Sequence, residues 1–247
     1  MKRLALLMLL LCAVQTAGAQ DSPPGNDTDT PLRYKLTVGY YQFSQGLSDN
    51  GPAMDVNLRQ TSSTENVWLA HYDSWAQGVT QTRLGWDRTL DQGTVRFIPS
   101  LQLASGGAWN GSLGVETGQT WFAGLAFGRT NLRDALSLNF DPNDMVTVSG
   151  GLRWSELEAL SFQLVRDNRL HPDQQHLHLI YRTPLPDARR LTVDVLFKRG
   201  LVDDEPTERT GLTVTHDWPR WFIRAAWDPK TNFTSQDMMR LVVGTRF

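Results

Sequence analysis

The stretch Met238-Met239-Arg240-Leu241-Val242-Val243-Gly244-Thr245-Arg246-Phe247 closes the chain and decides how the rest is read. Apolar side chains at 239, 241, 243 and 247 alternate with Arg240, Gly244 and Arg246. Successive side chains of a strand point to opposite faces, so this is a strand with one greasy and one wet face. Working back to Leu32, fifteen runs show the same period of two, separated by clusters of Gly, Asp, Asn, Ser or Pro. They span 33–43, 53–60, 66–73, 79–88, 94–103, 111–117, 120–129, 133–140, 145–154, 158–167, 175–183, 190–199, 210–217, 220–228 and 238–247. None of the intervals carries a helical period of useful length.

The other end of the chain reads as an address. Met1-Lys2-Arg3, the apolar run Leu4 to Val14 and Ala17-Gly18-Ala19 have the basic head, apolar core and small-x-small site of a cleaved secretory signal peptide over 1–19. The apolar run is shorter than the roughly 20 residues a bilayer-spanning helix needs. Residues 20–31 read as an irregular periplasmic lead-in, rich in Asp, Asn, Ser, Thr, Pro and Gly. The only cysteine, Cys12, falls inside the leader, and Leu11 before it is not the small residue of a lipoprotein signal. Without it the mature chain has no disulfide and no thiolate metal site.

Loss of Lys2 and Arg3 leaves 22 of the 24 basic residues against 26 acidic ones, with no basic patch of the nucleic-acid kind. Nine tryptophans sit in a chain whose average is polar. In a soluble β-protein they would form a core; in a membrane barrel they form girdles at the two interfaces, and the polar average comes from the lumen. Trp68, Trp86, Trp121, Trp154, Trp221 and Trp227 share the parity of the apolar face and are expected as interfacial anchors.

An alternating strand ending on Phe247 resembles the last strand of Gram-negative outer-membrane β-barrels, whose terminal aromatic is read by the barrel assembly machinery. Thr245 stands where those signals often carry a large apolar residue. The resemblance implies an all-β fold, a transmembrane antiparallel β-barrel over 32–247 in the bacterial outer membrane. It also implies outer-membrane lipids, lipopolysaccharide and the assembly machinery as partners, with Phe247 as assembly signal. A soluble β-sandwich or β-helix shares the alternation, but neither Greek-key spacing nor a short repeat supports it.

A single-chain barrel with both termini periplasmic needs an even strand number, so fifteen runs contain an error. Counting back from Phe247, the connections 229–237, 200–209 and 168–174 fall outside and Trp218-Pro219 is an inner turn. Counting forward, 44–52 falls outside and Gly118-Gln119 is an inner turn. The two frames collide between Gly118 and Asn168, where four runs stand and three or five are needed. Three gives fourteen strands; sixteen and twelve are the alternatives.

Parity then assigns faces. The lumen receives Lys35, Arg59, Arg83, Arg96, Arg153, Arg182, Lys198, Arg224, Arg240 and Arg246, with His176 and His178. It also receives Asp55, Asp73, Asp87, Glu116, Asp194 and Asp228. The cationic surplus suits a pore that attracts anions, since Arg keeps its charge and offers a planar donor fork. The same mixture also fits a closed interior cross-linked by Arg–carboxylate pairs. The plan is similar to that of small monomeric porins for acidic sugars, by analogy alone and with no motif in common.

Catalytic chemistry finds little footing. Barrel lipid hydrolases carry His-x-Ser-Asn, which puts base and nucleophile on one face. Here the nearest stretch is His71-Tyr72-Asp73-Ser74, whose spacing of three sends His71 and Ser74 to opposite faces. His176 and His178 share a face within reach of Asp194, but a stable metal site wants three or four ligands, so they read as a luminal hydrogen-bonding pair. A protonation switch is a second use for them. The acidic segment Leu201 to Glu208 reads as a solvated outer loop, with recruitment of divalent cations beside lipopolysaccharide phosphates as the alternative. Gly106-Gly107 and Gly150-Gly151 lack the spacing of a phosphate loop, and no cofactor is expected. Two functions follow: a passive outer-membrane channel for small polar, preferentially anionic solutes, or an envelope-acting barrel. The latter is a lipid-modifying enzyme or the outer-membrane exit for an exported polysaccharide.

Overall fold

The computed structural model describes residues 33–45, 48–133, 135, 141 and 144–247. The signal-peptide and lead-in segments lie outside them, as does most of the run expected at 133–140. The described chain is one antiparallel sheet of fifteen segments. These are β1 (Tyr34–Gln45), β2 (Ser48–Thr61), β3 (Glu65–Ser74), β4 (Val79–Arg88), β5 (Leu90–Gln92), β6 (Val95–Ala104), β7 (Ala108–Gly118) and β8 (Trp121–Thr130). They continue as β9 (Met145–Arg153), β10 (Ala159–Asp167), β11 (Gln175–Leu185), β12 (Arg189–Val202), β13 (Glu205–Asp217), β14 (Trp221–Asp228) and β15 (Asp237–Arg246).

Two of the segments are one strand. Asp87 pairs Ser100 and Leu90 pairs Phe97, so β4 and β5 keep an unbroken register against β6. That register sets Arg88 opposite Pro99, which has no N–H to give to the ladder. The barrel therefore has fourteen strands. It closes where the last strand meets the first, with Lys35 opposite Arg246 and Tyr41 opposite Arg240. Between Gly118 and Asn168 three strands stand, β8, β9 and β10, which resolves the clash of frames in favour of fourteen.

Closure leaves no open sheet edge, the condition for crossing hydrocarbon with strands. The outer surface is apolar along the strands: Leu69, Leu84, Leu101, Leu125, Leu241 and Val243 all stand exposed. Aromatics crowd both rims. Tyr34, Trp121, Trp154, Tyr181, Trp221 and Phe247 are exposed at the end that carries the termini, and Trp75, Trp109 and Trp227 at the other. Trp86 joins the first group and donates its indole N–H to Glu65, which keeps the ring in the girdle and its polar edge satisfied. Phe247 donates its N–H to Tyr34 O at 3.0 Å and stacks on the Tyr34 ring, locking the seam.

Two expectations about loops and faces need correction. The acidic segment 201–208 is not a loop, because β12 and β13 run on as a hairpin to Val202 and Glu205. Only Asp203 and Asp204 turn, both at positive φ (51° and 66°), the geometry whose twist matches paired strands. On β3 the expected faces are reversed at two positions: Trp68 is buried in the interior, and Asp73 lies on the outer face with Leu69 and His71. Both faces of β3 are apolar, with Val67 and Leu69 on one and Trp68, Ala70 and Tyr72 on the other. Alternation alone does not choose between them. The neighbouring strand does: a Cβ added at Gly85 would fall inside the Trp68 indole, so this glycine makes the room for the ring inside.

Candidate functional site

Among the described residues, strand parity fills the interior with charge. Near the end that carries the termini, two networks form. Arg190 on β12 and Arg246 on β15 both donate to Asp217 on β13, at 3.2 and 2.6 Å. All three are at most 4% exposed. A carboxylate between two guanidiniums satisfies its lone pairs on both sides, and leaving either partner unpaired there is costly. On the opposite strands, Arg153 donates to both oxygens of Glu116 at 2.9 Å, and Arg96 donates to the same carboxylate. Arg153 also lies 3.7 Å over the Phe122 ring, which holds its guanidinium flat against the wall.

In the middle of the barrel Tyr41 donates to Asp55 at 3.1 Å, and Arg83 lies over the Trp68 ring at 5.8 Å. Arg240 approaches the other face of the cluster, 6.0 Å from the Tyr41 ring centre. Lys35 and Arg246 flank the buried Phe222 at 4.9 and 5.3 Å. Phe222 itself sits where a side chain on Gly244 would be. Arg224 donates to Thr215 at 3.0 Å. Arg59, beside Lys35 in the register, and Arg182, opposite Ala159 and Thr192, face the same interior.

Toward the other rim Lys198 donates to Asp228 and, at 2.9 Å, to the carbonyl of Lys230. His176 and His178 face inward as expected from parity, and a third group joins them. Asp141, from the link between β8 and β9, places Oδ1 2.8 Å from His176 Nδ1 and 3.1 Å from His178 Nε2. The other ring nitrogen of His178 lies 3.0 Å from Asp194. Burial disfavours the Asp141 carboxylate, but the His178 charge and the hydrogen bonds of both imidazoles outweigh it and hold its pKa below the usual carboxylate range. The same link buries Ala135 against Ala108, so at two described points it leans onto the inner wall.

The wall between β6 and β11 is different. Ser100, Ser112, Thr147, Ser149, Ser161 and Gln163 line a cavity there, above Glu116 and Phe122. About 50 Å³ of it is open to water centres. Ile98, Val115, Phe162 and Ile180 also line it, so the cavity is of mixed character, and since roughly 10–15 Å³ holds one water it has room for a few.

Of the expected lumen residues all but Asp73 face inward, and Arg190, Asp217 and Asp141 join them without having been expected. Arg190 shares parity with Asp194 and Lys198, and Asp217 with Thr215, so both were readable by the same rule. Asp141 was not readable, because no strand period reaches a link. Ser74 is buried inside, whereas His71 is exposed outside, 2.9 Å from Thr82 Oγ1, so the two do not meet.

No family model and no curated protein sequence matches the chain. Solved structures do. The Acinetobacter baumannii outer membrane protein Omp33 aligns over 87% of this chain and 98% of its own, with a TM-score of 0.60 and 9% identity. A triple mutant of the Rhodopseudomonas blastica porin aligns over 86% of this chain and 99% of its own, with a TM-score of 0.44 and 9% identity. The chain has the fold of an outer-membrane β-barrel, a closed antiparallel barrel of fourteen strands.

Proposed function

We propose that the barrel is a passive outer-membrane channel for small polar solutes, with a preference for anions. The observation that carries this reading is the asymmetry of the lumen. A water-holding wall of Ser, Thr and Gln faces a wall studded with Lys and Arg. Among the described residues, inward-facing cations on the strands outnumber inward-facing carboxylates, and fixed cations raise the local concentration of anions in a narrow pore. Part of that charge is neutralised by Asp217, Glu116 and Asp228, so the preference is modest rather than absolute. The inward Lys and Arg side chains as a set, from Lys35 on β1 to Arg246 on β15, are the residues through which it acts. Phe247, whose ring lies on the outer rim, serves as the assembly signal, with the barrel assembly machinery and lipopolysaccharide as envelope partners.

Liposome swelling with the refolded chain tests this reading. Swelling in small uncharged sugars, and faster swelling in acidic sugars of the same size, is the expected result. Liposomes that stay tight in both remove the channel. The envelope-enzyme alternative has no observation in its favour, since the nearest His and Ser lie on opposite faces of β3.

A further inference from the structure

We propose that Asp141, His176 and His178 form a binding site for a divalent transition-metal ion of the zinc type, which fastens the β8–β9 link to the inner wall. One donor atom from each residue lies within 4.8 Å of the others. Asp141 Oδ1 is 2.8 Å from His176 Nδ1 and 3.1 Å from His178 Nε2. Ligand atoms around tetrahedral zinc, each at about 2.0–2.2 Å from the metal, stand about 3.4 Å apart. The trio therefore needs only a slight opening to receive the ion.

Three features separate this cluster from an ordinary luminal hydrogen bond. First, His178 has the support of a metal ligand. Its Nδ1 lies 3.0 Å from Asp194, which would keep the ring oriented with its Nδ1 proton in place when a metal ion replaces the proton on Nε2. Secondly, His176 is 1% exposed and its Nε2 has no hydrogen-bond partner, so all its polar contact is with Asp141. Its ring is clamped by Phe233, stacked at 5.2 Å. Thirdly, the nearby cation Lys198 is already engaged by Asp228 and the Lys230 carbonyl. Two imidazoles and one carboxylate suit zinc, cobalt or nickel better than calcium or magnesium, which prefer all-oxygen shells. With three protein ligands, one position stays open to water or to a passing solute.

Strand period puts His176 and His178 on one face, but the third ligand comes from a link. Binding therefore ties Asp141 to β11, and the site stands apart from the channel reading.

The test uses the full refolded chain in detergent, stripped with a chelator and titrated with zinc chloride alone by calorimetry. One equivalent is expected to bind, with cobalt giving the visible absorption of a tetrahedral site. H178Q and D141N are each expected to weaken binding at least about tenfold, and Asp194→Asn about 10–100-fold through loss of ligand orientation. Heat-modifiable gel migration establishes that each variant still forms the barrel; D141N, in the link, spares the strands. Failure of the wild type to bind zinc, or wild-type affinity in H178Q and D141N, overturns the proposal. One-equivalent binding by a preparation that carries no channel current keeps the site and removes the channel.

Discussion

The two walls of the lumen are built by the same rule and end in opposite states. On β1 to β4 and β12 to β15 the inward positions carry Tyr41, Trp68, Tyr72, Arg83, Phe222 and Arg246, all buried. Guanidiniums lie on rings, rings lie over glycines, and carboxylates tie the pairs together. On β6 to β10 the inward positions carry Ser100, Ser112, Gly124, Thr147, Ser149 and Ser161, and space remains. Inward side-chain volume, rather than polarity, separates the two walls. On the proposed channel reading the filled wall stiffens the barrel and the other leaves room for a path.

The largest effect that bears on this division is one of stability. Asp217→Ala strands Arg190 and Arg246, and a broken buried ion pair costs about 3–5 kcal/mol. Ser149→Ala on the open wall is expected to stay within about 0.5 kcal/mol of the wild type. Urea titration followed by heat-modifiable migration compares them, and equal losses would erase the distinction between the walls.

Next in size is a loss of flow. Ser149→Trp combined with Ser161→Trp fills the open wall and is expected to cut single-channel conductance by about half or more. Tyr41→Phe, on the filled wall, leaves conductance unchanged. If the second variant alters current more than the first, the path runs along the other side.

A smaller effect concerns sign. Glu116→Gln removes the carboxylate shared by Arg96 and Arg153, and the reversal potential in a salt gradient is expected to move toward anions by a few millivolts. Arg153→Gln moves it the other way. Shifts in the same direction for both variants would take these side chains out of the conducting path.

Smallest of all is the outer rim. Arg199 and Glu208 lie 3.8 Å apart with their side chains 74% and 79% exposed. Arg199→Ala is expected to change stability by no more than about 0.5 kcal/mol, since exposed ion pairs contribute little. A larger loss in the urea titration would mean that the hairpin tip packs on something beyond solvent.

Much of the architecture was legible because a membrane barrel writes its faces into the sequence at a fixed period. The seam strand β15 shows this: Leu241 and Val243 face lipid, and Arg240 and Arg246 face the lumen. The conflict of loop frames was enough to place the miscount between Gly118 and Asn168 without any coordinate. Where legibility failed, a physical reason is visible. Trp68 and Asp73 were misplaced because β3 is apolar on both faces, and the glycine that settles its face lies on the next strand. The β12–β13 hairpin looked like a loop because polar residues such as Glu208 and Arg209 are common both in loops and on the exposed ends of strands. The inward candidates were recovered by parity, yet their partners were not, because pairing across the lumen depends on register and on the links. Asp141 shows the limit most clearly: its contact with His176 spans 35 residues and no local pattern announces it.

The central claim is that a partly neutralised cationic wall faces an open polar one, and that ions pass between them. Reversal potential across a planar bilayer holding the refolded wild-type chain, measured in a tenfold gradient of potassium chloride, tests it most directly. A steady open-channel current whose reversal potential shows modest anion preference is the expected result. A bilayer that stays silent, or a current that prefers cations, would contradict it.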